Sequence, residues 1–494
     1  MADPNLPAPM QEGAHLYARR WPRIYRWFDR RTGITEVMHE ALDEPIPGGA
    51  RWAYVFGSVL LFLFISQVVT GIALALYYAP TADHAHTTVA YIMKEVTAGS
   101  FLRSLHAYGS SAVVVVLLLH LTQTFLYGAY KGRREVLWIS GVALFGLMLA
   151  MSFTGYLLPW DQKAYFATTV GTNMASEVPW IGAGLKRLMR GGNEMGTLTL
   201  SRFFVAHVFL LPVAILGLVA AHVYLFRKAG AAGPPSEDPV RPKLPTERFY
   251  PRQVLMDTMV ALFMICVLGF LAHFHPFELG PKANPADTQY VPRPEWYYLP
   301  IFQWLKYFKG SLAIFGIVII PSLTALLVIA LPFIDRRLER RPWKRPFAVG
   351  IYLVILGTLI VFGLLSKRED RLDPAIAKQV ARQDEETRKF MEEPFQPEVA
   401  ANTLSARSVV VLDPLAAAGK KVYGDQSCDA CHGENGIGTD AAPKLGGAIA
   451  QLPATELSQL LRHPNAAMIK GEMQPVDVSD EELKALVAYI KSLK

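Results

Sequence analysis

Charge is scarce in this 494-residue chain: 18% of its residues are Asp, Glu, Lys or Arg, against about 25% in an average soluble protein. That excludes an ordinary cytosolic enzyme. Disorder is excluded by the opposite excess, because 52% of residues are apolar and disordered chains are poor in such residues. Cysteine is nearly absent, with three in all, Cys266, Cys428 and Cys431. Three cannot build a disulfide framework. Cys266 lies in an apolar run and reads as packing, while the other two share one short motif. An apolar leader is also missing: the first 50 residues are polar and Arg-rich, so membrane insertion is expected from the first spanning helix. The net charge of +7 comes from basic blocks set between apolar stretches. That is the pattern of cytoplasmic membrane loops, and no nucleic-acid partner is expected.

What the chain does have is length of apolar sequence. A bilayer needs about 20 apolar residues per helix, and seven runs qualify, near 52–78, 102–127, 136–158, 203–226, 252–273, 311–334 and 346–366. Basic residues fall in alternate loops: Arg19 to Arg31 before the first run, Lys131, Arg133 and Arg134 after the second, Arg227 to Arg252 after the fourth, and Arg336 to Arg345 after the sixth. These loops are expected inside and the C-terminus outside. The loop after the third run breaks the pattern with Lys186, Arg187 and Arg190, and is expected to be a folded cap. Residues 367–411 are charged and weakly periodic and read as a partly helical linker. Residues 412–494 read as a small soluble domain whose last helix starts at an N-cap, Ser479, followed by acidic residues.

Histidine inside a spanning helix is costly and usually functional. The second run holds His106 and His120, the fourth His207 and His222. His106 and His120 are 14 residues apart, about 21 Å along a helix and about 40° apart in phase. Both therefore face one side, one in each leaflet. Haem iron accepts two axial imidazoles, so His106 is expected to pair with His207 and His120 with His222, holding two non-covalent b-type haems. The second pair is spaced by 15, and a bulge near Pro212 is expected to absorb the extra residue. Gly57 and Gly71, and Gly141 and Gly155, repeat the 14-residue interval, which leaves room for a flat macrocycle. In the soluble domain Cys428-Asp-Ala-Cys431-His432 is the C-x-x-C-H motif of covalent c-type haem attachment. His432 is the expected iron ligand and Met473 the sixth, with Met468 as its rival.

Between the fifth and sixth runs lies Arg293-Pro294-Glu295-Trp296-Tyr297-Tyr298. With Arg103-Ser-Leu-His106, the two His pairs and Gly155-Tyr156-Leu-Leu-Pro159-Trp160-Asp161-Gln162, it makes the chain resemble the cytochrome b subunit of cytochrome bc complexes, the quinol–cytochrome c reductases. The seven runs and the 15-residue spacing resemble the plastid-type bf form, with its two separate parts fused. Val55 stands where that form carries a haem-binding cysteine, so the extra covalent haem is not expected. The resemblance implies an all-α fold: a seven-helix transmembrane di-haem cytochrome b bundle plus a small α-helical class I cytochrome c domain. Its implied divisions are a cytoplasmic segment (1–50), a four-helix di-haem part (51–230), a three-helix part with the PEWY loop (231–366), the linker (367–411) and the haem c domain (412–494).

The resemblance further implies quinol oxidation at the outer face, with Glu295 accepting a proton and Tyr156, Pro294 and Tyr297 at the pocket. Arg103 would meet a propionate of the outer haem. Arg227 and Asp257 would serve an inner quinone site, although Arg227 also reads as positive-inside charge. Electrons would pass through the two b haems to the inner quinone, with the fused c haem as acceptor or relay. Implied partners are a Rieske iron–sulfur protein, further cytochrome c or oxidase subunits, lipid, and a second copy in a homodimeric complex. The implied site is the cell inner membrane, with the c domain on the periplasmic side. The competing reading is a di-haem membrane anchor of another quinone-linked dehydrogenase.

Overall fold

The computed structural model describes residues 22–235, 244–287, 289–397, 413–433, 436, 438, 442–447, 449–470 and 473–493. The basic residues Arg19, Arg20, Arg241 and Lys243 lie outside these. The chain divides into two compact units, Met1–Pro397 and Glu398–Lys494.

Among the described residues of the first unit, seven helices are long and apolar enough to cross a membrane: α1 Trp52–Ala75, α2 Gly99–Leu126, α3 Glu135–Leu157, α4 Thr197–Ala229, α5 Arg252–Phe274, α6 Gly310–Ile334 and α7 Pro346–Leu372. The chain is thus a multi-pass membrane protein. Their apolar side chains mostly face outward; the most apolar stretch of α7 has no buried residue at all, as expected of helices whose surroundings are lipid or other subunits. Val55, Val59 and Leu63 of α1 pack with Ala112, Val113 and Val116 of α2 and Leu268 of α5. Val55 is therefore a core residue. Cys266, expected to be packed, is exposed on α5.

The basic loops gather at one end. Arg340, after α6, donates to Tyr127 O after α2 and to Ala232 O and Gly233 O after α4. Lys131 pairs with Asp335 at 2.7 Å, and Tyr130 and Arg345 join the same carboxylate. A two-stranded antiparallel pair, Pro45–Pro47 with Thr246–Arg248, ties the N-terminal segment to the loop before α5. At the other end the loop after α3 does form a cap, with helices Gln162–Ser176 and Gly182–Arg190. Arg190 is buried there and donates to Thr172, Asn173 and Asn193, which accounts for one basic residue of that loop as structural.

The stretch from 367, expected to be partly helical, is helical nearly throughout as far as Glu392. α7 runs on to Leu372 and α8, Pro374–Glu392, follows, started by the Asp373 carboxylate accepting from Ala375 N and Ile376 N. α8 belongs to the first unit because Lys94 donates to Phe390 O and Glu393 O. Residues 398–412 lie outside the described residues.

Among the described residues the second unit has the helices α9 Pro414–Asp425, α10 Cys428–His432, α11 Ala454–Arg462 and α12 Asp480–Ser492, with a short helix Ala466–Lys470 before the last. Ser479 caps α12 in a reciprocal box with Glu482, as expected. α9 crosses α12 so closely that a Cβ on Gly419 would sit 1.9 Å from Ala485 O, and Tyr423 meets Tyr489 edge-on beside the crossing.

Candidate functional site

α4 contains the anticipated irregularity. Residues Ala206–Leu210 form a π turn, with Leu211 N–H reaching back to Ala206 O, directly before Pro212, which has no N–H to give. One inserted residue restores the phase of a 14-residue spacing. His207 and His222 thereby match His106 and His120. The imidazole centres of His106 and His207 are 6.3 Å apart with planes turned 80°. A metal–imidazole bond of about 2 Å puts a ring centre about 3 Å from the metal, so two ligands of one ion stand about 6 Å apart. The pair fits a single bis-His iron. Among the described residues there is no group of three or more His, Cys, Asp or Glu able to hold a metal ion, so the donor set suits a metal whose remaining ligands come with it.

The glycines face the histidines one to one. A Cβ on Gly57 would lie 3.7 Å from His120 Cε1, on Gly71 3.2 Å from His106, on Gly141 3.2 Å from His222 and on Gly155 2.4 Å from His207. The imidazoles thus stand directly against the glycine faces that the 14-residue interval sets out.

Beside three of these glycines stands a hydroxyl that sequence reasoning missed. His106 Nδ1 lies 2.9 Å from Thr70 Oγ1, His222 Nδ1 2.8 Å from Ser140 Oγ, and His207 Nδ1 3.3 Å from Thr154 Oγ1 and 3.1 Å from Met151 O. Each hydroxyl donates its own hydrogen to a carbonyl of its helix, so it accepts from Nδ1–H. The network thus assigns the tautomer that leaves Nε2 free to ligate. Thr70-Gly71, Ser140-Gly141 and Thr154-Gly155 share one pattern, and that repeated dipeptide was the available signal. In the second unit His432 Nδ1 donates to Pro443 O at 2.8 Å, the same device. Cys428 and Met473 pack against its core.

One cavity of about 950 Å³ connects His106 and His207 with the outer loops and is lined by Arg103, Tyr156, Glu295 and Tyr297. Glu295 forms an ion pair with Lys163 at 2.7 Å, a partner 132 residues away that no motif announced. Tyr156 Oη donates to Arg293 O at 3.4 Å, and Arg293 is ion-paired with Asp370 at the end of α7. Pro294 is half-buried between them. Burial, reinforced by the Glu295 charge, pushes the Tyr297 phenol above its ordinary value, so Tyr297 is a neutral donor. Asp161 caps the helix after it and also accepts from Gly280 N at 3.2 Å, while Gln162 Oε1 accepts from Asn284 N. These bonds stitch the 159–163 turn to the loop after α5. Arg103 is buried and donates to Phe277 O at 2.6 Å and Glu278 O at 3.1 Å.

At the inner end Arg227 is paired with Glu44 at 2.8 Å. Asp257 accepts from Gln253 at 2.8 Å, while its Oδ2 is buried without a hydrogen-bond partner.

Seven spans, two histidine pairs in opposite halves of the bundle and a C-x-x-C-H unit define a membrane cytochrome. Comparison with known proteins makes this specific. The family described as Cytochrome b/b6/petB matches residues 41–230, Cytochrome b(C-terminal)/b6/petD matches 282–382, and Cytochrome c matches 416–494. The cytochrome bc complex cytochrome b subunit of Chlorobaculum thiosulfatiphilum is 34% identical over 338 residues, covering 68% of this chain and 78% of that protein. The cytochrome b/c1 of Bradyrhizobium diazoefficiens is 35% identical over 348 residues, 69% of this chain but 50% of that protein, so this chain spans about half its length. A solved chain of a hyperthermophilic respiratory Complex III superposes with TM-score 0.63 at 26% identity, covering 75% of this chain and 97% of that one. The chain belongs to the cytochrome b family of the bc complexes, and it carries a cytochrome c domain at its C-terminal end.

Proposed function

We propose that this chain oxidises a quinol at its outer end. It would hold two b-type haems, one between His106 and His207 and one between His120 and His222. A covalent c-type haem would sit on Cys428, Cys431 and His432, with Met473 as sixth ligand. The observation that carries the reading is the one cavity shared by the outer histidine pair, Tyr156, Glu295 and Tyr297. When bound, haem supplies one-electron acceptors in both halves of the membrane and beyond it.

The residues of the chain account for the rest. An apolar pocket with few polar groups orients the quinol head, and Tyr156 and Tyr297 offer neutral hydroxyls to its oxygens. Glu295, as a carboxylate, is positioned to accept a proton. Protonation removes its attraction to Lys163, so the side chain is released to turn toward water. Arg103 donates to Phe277 O, Glu278 O and the Met93 sulfur, which leaves its charge available for a carboxylate of the outer haem. For the inner quinone site the stronger candidate is Asp257, with its unpartnered Oδ2; Arg227 is already engaged by Glu44.

Two of the three cysteines belong to C-x-x-C-H, so these residues do not themselves supply the ligands of an iron–sulfur acceptor. We assign a Rieske partner, a homodimeric complex with further cytochrome c or oxidase subunits, and an inner-membrane location with the c domain periplasmic. The dehydrogenase-anchor reading gives no role to the Lys163–Glu295 pair beside Tyr156. Replacing Glu295 with Gln tests the proposal. Both b-haem spectra should persist while quinol oxidation slows by about 100-fold, the lower range for losing a general base. Unchanged turnover at every pH would overturn it.

A further inference from the structure

α8 lies beyond the last spanning helix, yet it forms part of the outer cavity. Val380, Gln383 and Thr387 recur at the spacing that puts side chains on one helix face, and all three line that cavity. Asp384 and Glu386 line it as well, and on the solvated face Arg388 bridges Glu385 and Glu392. The helix is fixed from several directions. Arg382 pairs with Asp287 at 3.1 Å, Lys94 binds the carbonyls at its end, and the Phe390 ring packs 5.0 Å from that of His86. Thr387 Oγ1 and Asp161 Oδ2 both lie 3.5 Å from where a Cβ on Gly280 would stand, so α8 abuts the turn that carries the quinol-site motif.

Within this wall Gln383 Nε2 is buried and has no hydrogen-bond partner. Buried donors left unpaired are rare in native proteins. Gln383 is one of the residues lining the cavity, and an unpaired amide donor selects an oxygen acceptor. The substrate read for this cavity carries two ring oxygens. We infer that Gln383 donates a hydrogen bond to a quinol oxygen, so that α8 contributes a substrate contact as well as a wall. The inference rests on the quinol reading given above. A carboxylate of a haem in the same cavity is the other acceptor of matching chemistry, and the test separates the two.

The whole complex in its membranes is assayed with a soluble quinol. Gln383→Leu should raise the quinol KM about 3- to 10-fold, the range for one neutral hydrogen bond. It should leave kcat and the outer b-haem midpoint potential unchanged. Gln383→Glu keeps the shape and loses the donor on ionising, so its KM should rise with pH; a flat profile would contradict a direct contact. Arg388→Ala, on the solvated face, should change nothing, and a KM rise equal to that of Gln383→Leu would show that only the stability of α8 matters. A shifted haem potential with unchanged KM would hand the donor to the haem carboxylate and overturn the inference. Glu295→Gln, run alongside, reports on the quinol reading itself: slowed turnover with normal Gln383→Leu kinetics sinks only this inference, and unchanged turnover sinks both.

Discussion

Replacing each of the four histidine-facing glycines by alanine should give graded effects, because the clearances differ by more than an ångström. At Gly57 the new Cβ would be 3.7 Å from His120 Cε1, an ordinary contact. Alanine also favours a helix over glycine by about 1 kcal/mol, so Gly57→Ala should be neutral or mildly stabilising. At Gly71 and Gly141 the distance is 3.2 Å, and a few tenths of an ångström of ring movement suffices. At Gly155 it is 2.4 Å to Cε1 and 3.0 Å to both ring nitrogens. His207 cannot retreat freely, because its Nδ1 is held by Thr154 and Met151 and its backbone lies in the π turn. Overpacking of this kind costs about 1–3 kcal/mol. A loss of about 2 kcal/mol weakens binding about 30-fold. The assay is b-haem content by pyridine haemochrome on each purified variant, with redox titration to tell the outer haem from the inner. Gly155→Ala should lose or destabilise the outer b haem while Gly57→Ala keeps both. Loss of haem in Gly57→Ala with full retention in Gly155→Ala would refute the clearance argument.

Other outcomes follow from single contacts. Ser140→Ala removes the acceptor of His222 Nδ1–H and should weaken inner b-haem binding about 10-fold or more, with the outer haem's titration unmoved. Lys163→Met should leave Glu295 without its ion pair and alter the pH profile of quinol oxidation, while b-haem content stays constant. Asp335 is lowered from its ordinary value of 3.8: burial pushes it up, but hydrogen bonds from Lys131 and Tyr130 outweigh that. A depressed acid stabilises above its unfolded pKa, and that contribution is lost as pH falls through the folded value. Hydrogen-exchange protection around residues 335–345, taken relative to the intrinsic rate at each pH, should therefore fall below about pH 4. In Asp335→Asn it should already be low at neutral pH, since breaking such a buried pair costs about 3 kcal/mol.

The membrane histidines were legible because two signals coincide: imidazoles are expensive in apolar helices, and the 14-residue interval fixes both face and depth. The π turn was legible as arithmetic, since a 15-residue spacing cannot keep phase without an insertion. The hydroxyls on Nδ1 were present as Thr-Gly and Ser-Gly dipeptides, but Ser and Thr are common in spanning helices and their partner is on another helix. Lys163 and Glu295 meet through tertiary packing of two loops, which no local pattern encodes. Part of 367–411 was legible as helix, but the docking of α8 was not, because its apolar face is only a narrow stripe within a charged stretch; its contacts with Lys94, Asp287 and His86 are what hold it in place. The interval of the glycines gives the face they share with the histidines, but not the imidazole atoms that stand against them, because spacing gives a face and not the atoms that meet it.

The central claim is a chain with two exchangeable b haems and one covalent c haem. Acid–acetone extraction of the purified protein, followed by haemochrome quantitation of both fractions, tests it most directly. Two haems should appear in the solvent and one should stay on the polypeptide, bound through Cys428 and Cys431. Val55, packed against α2 and α5, offers no thiol for another. Two haems retained, or only one extracted, would contradict the account.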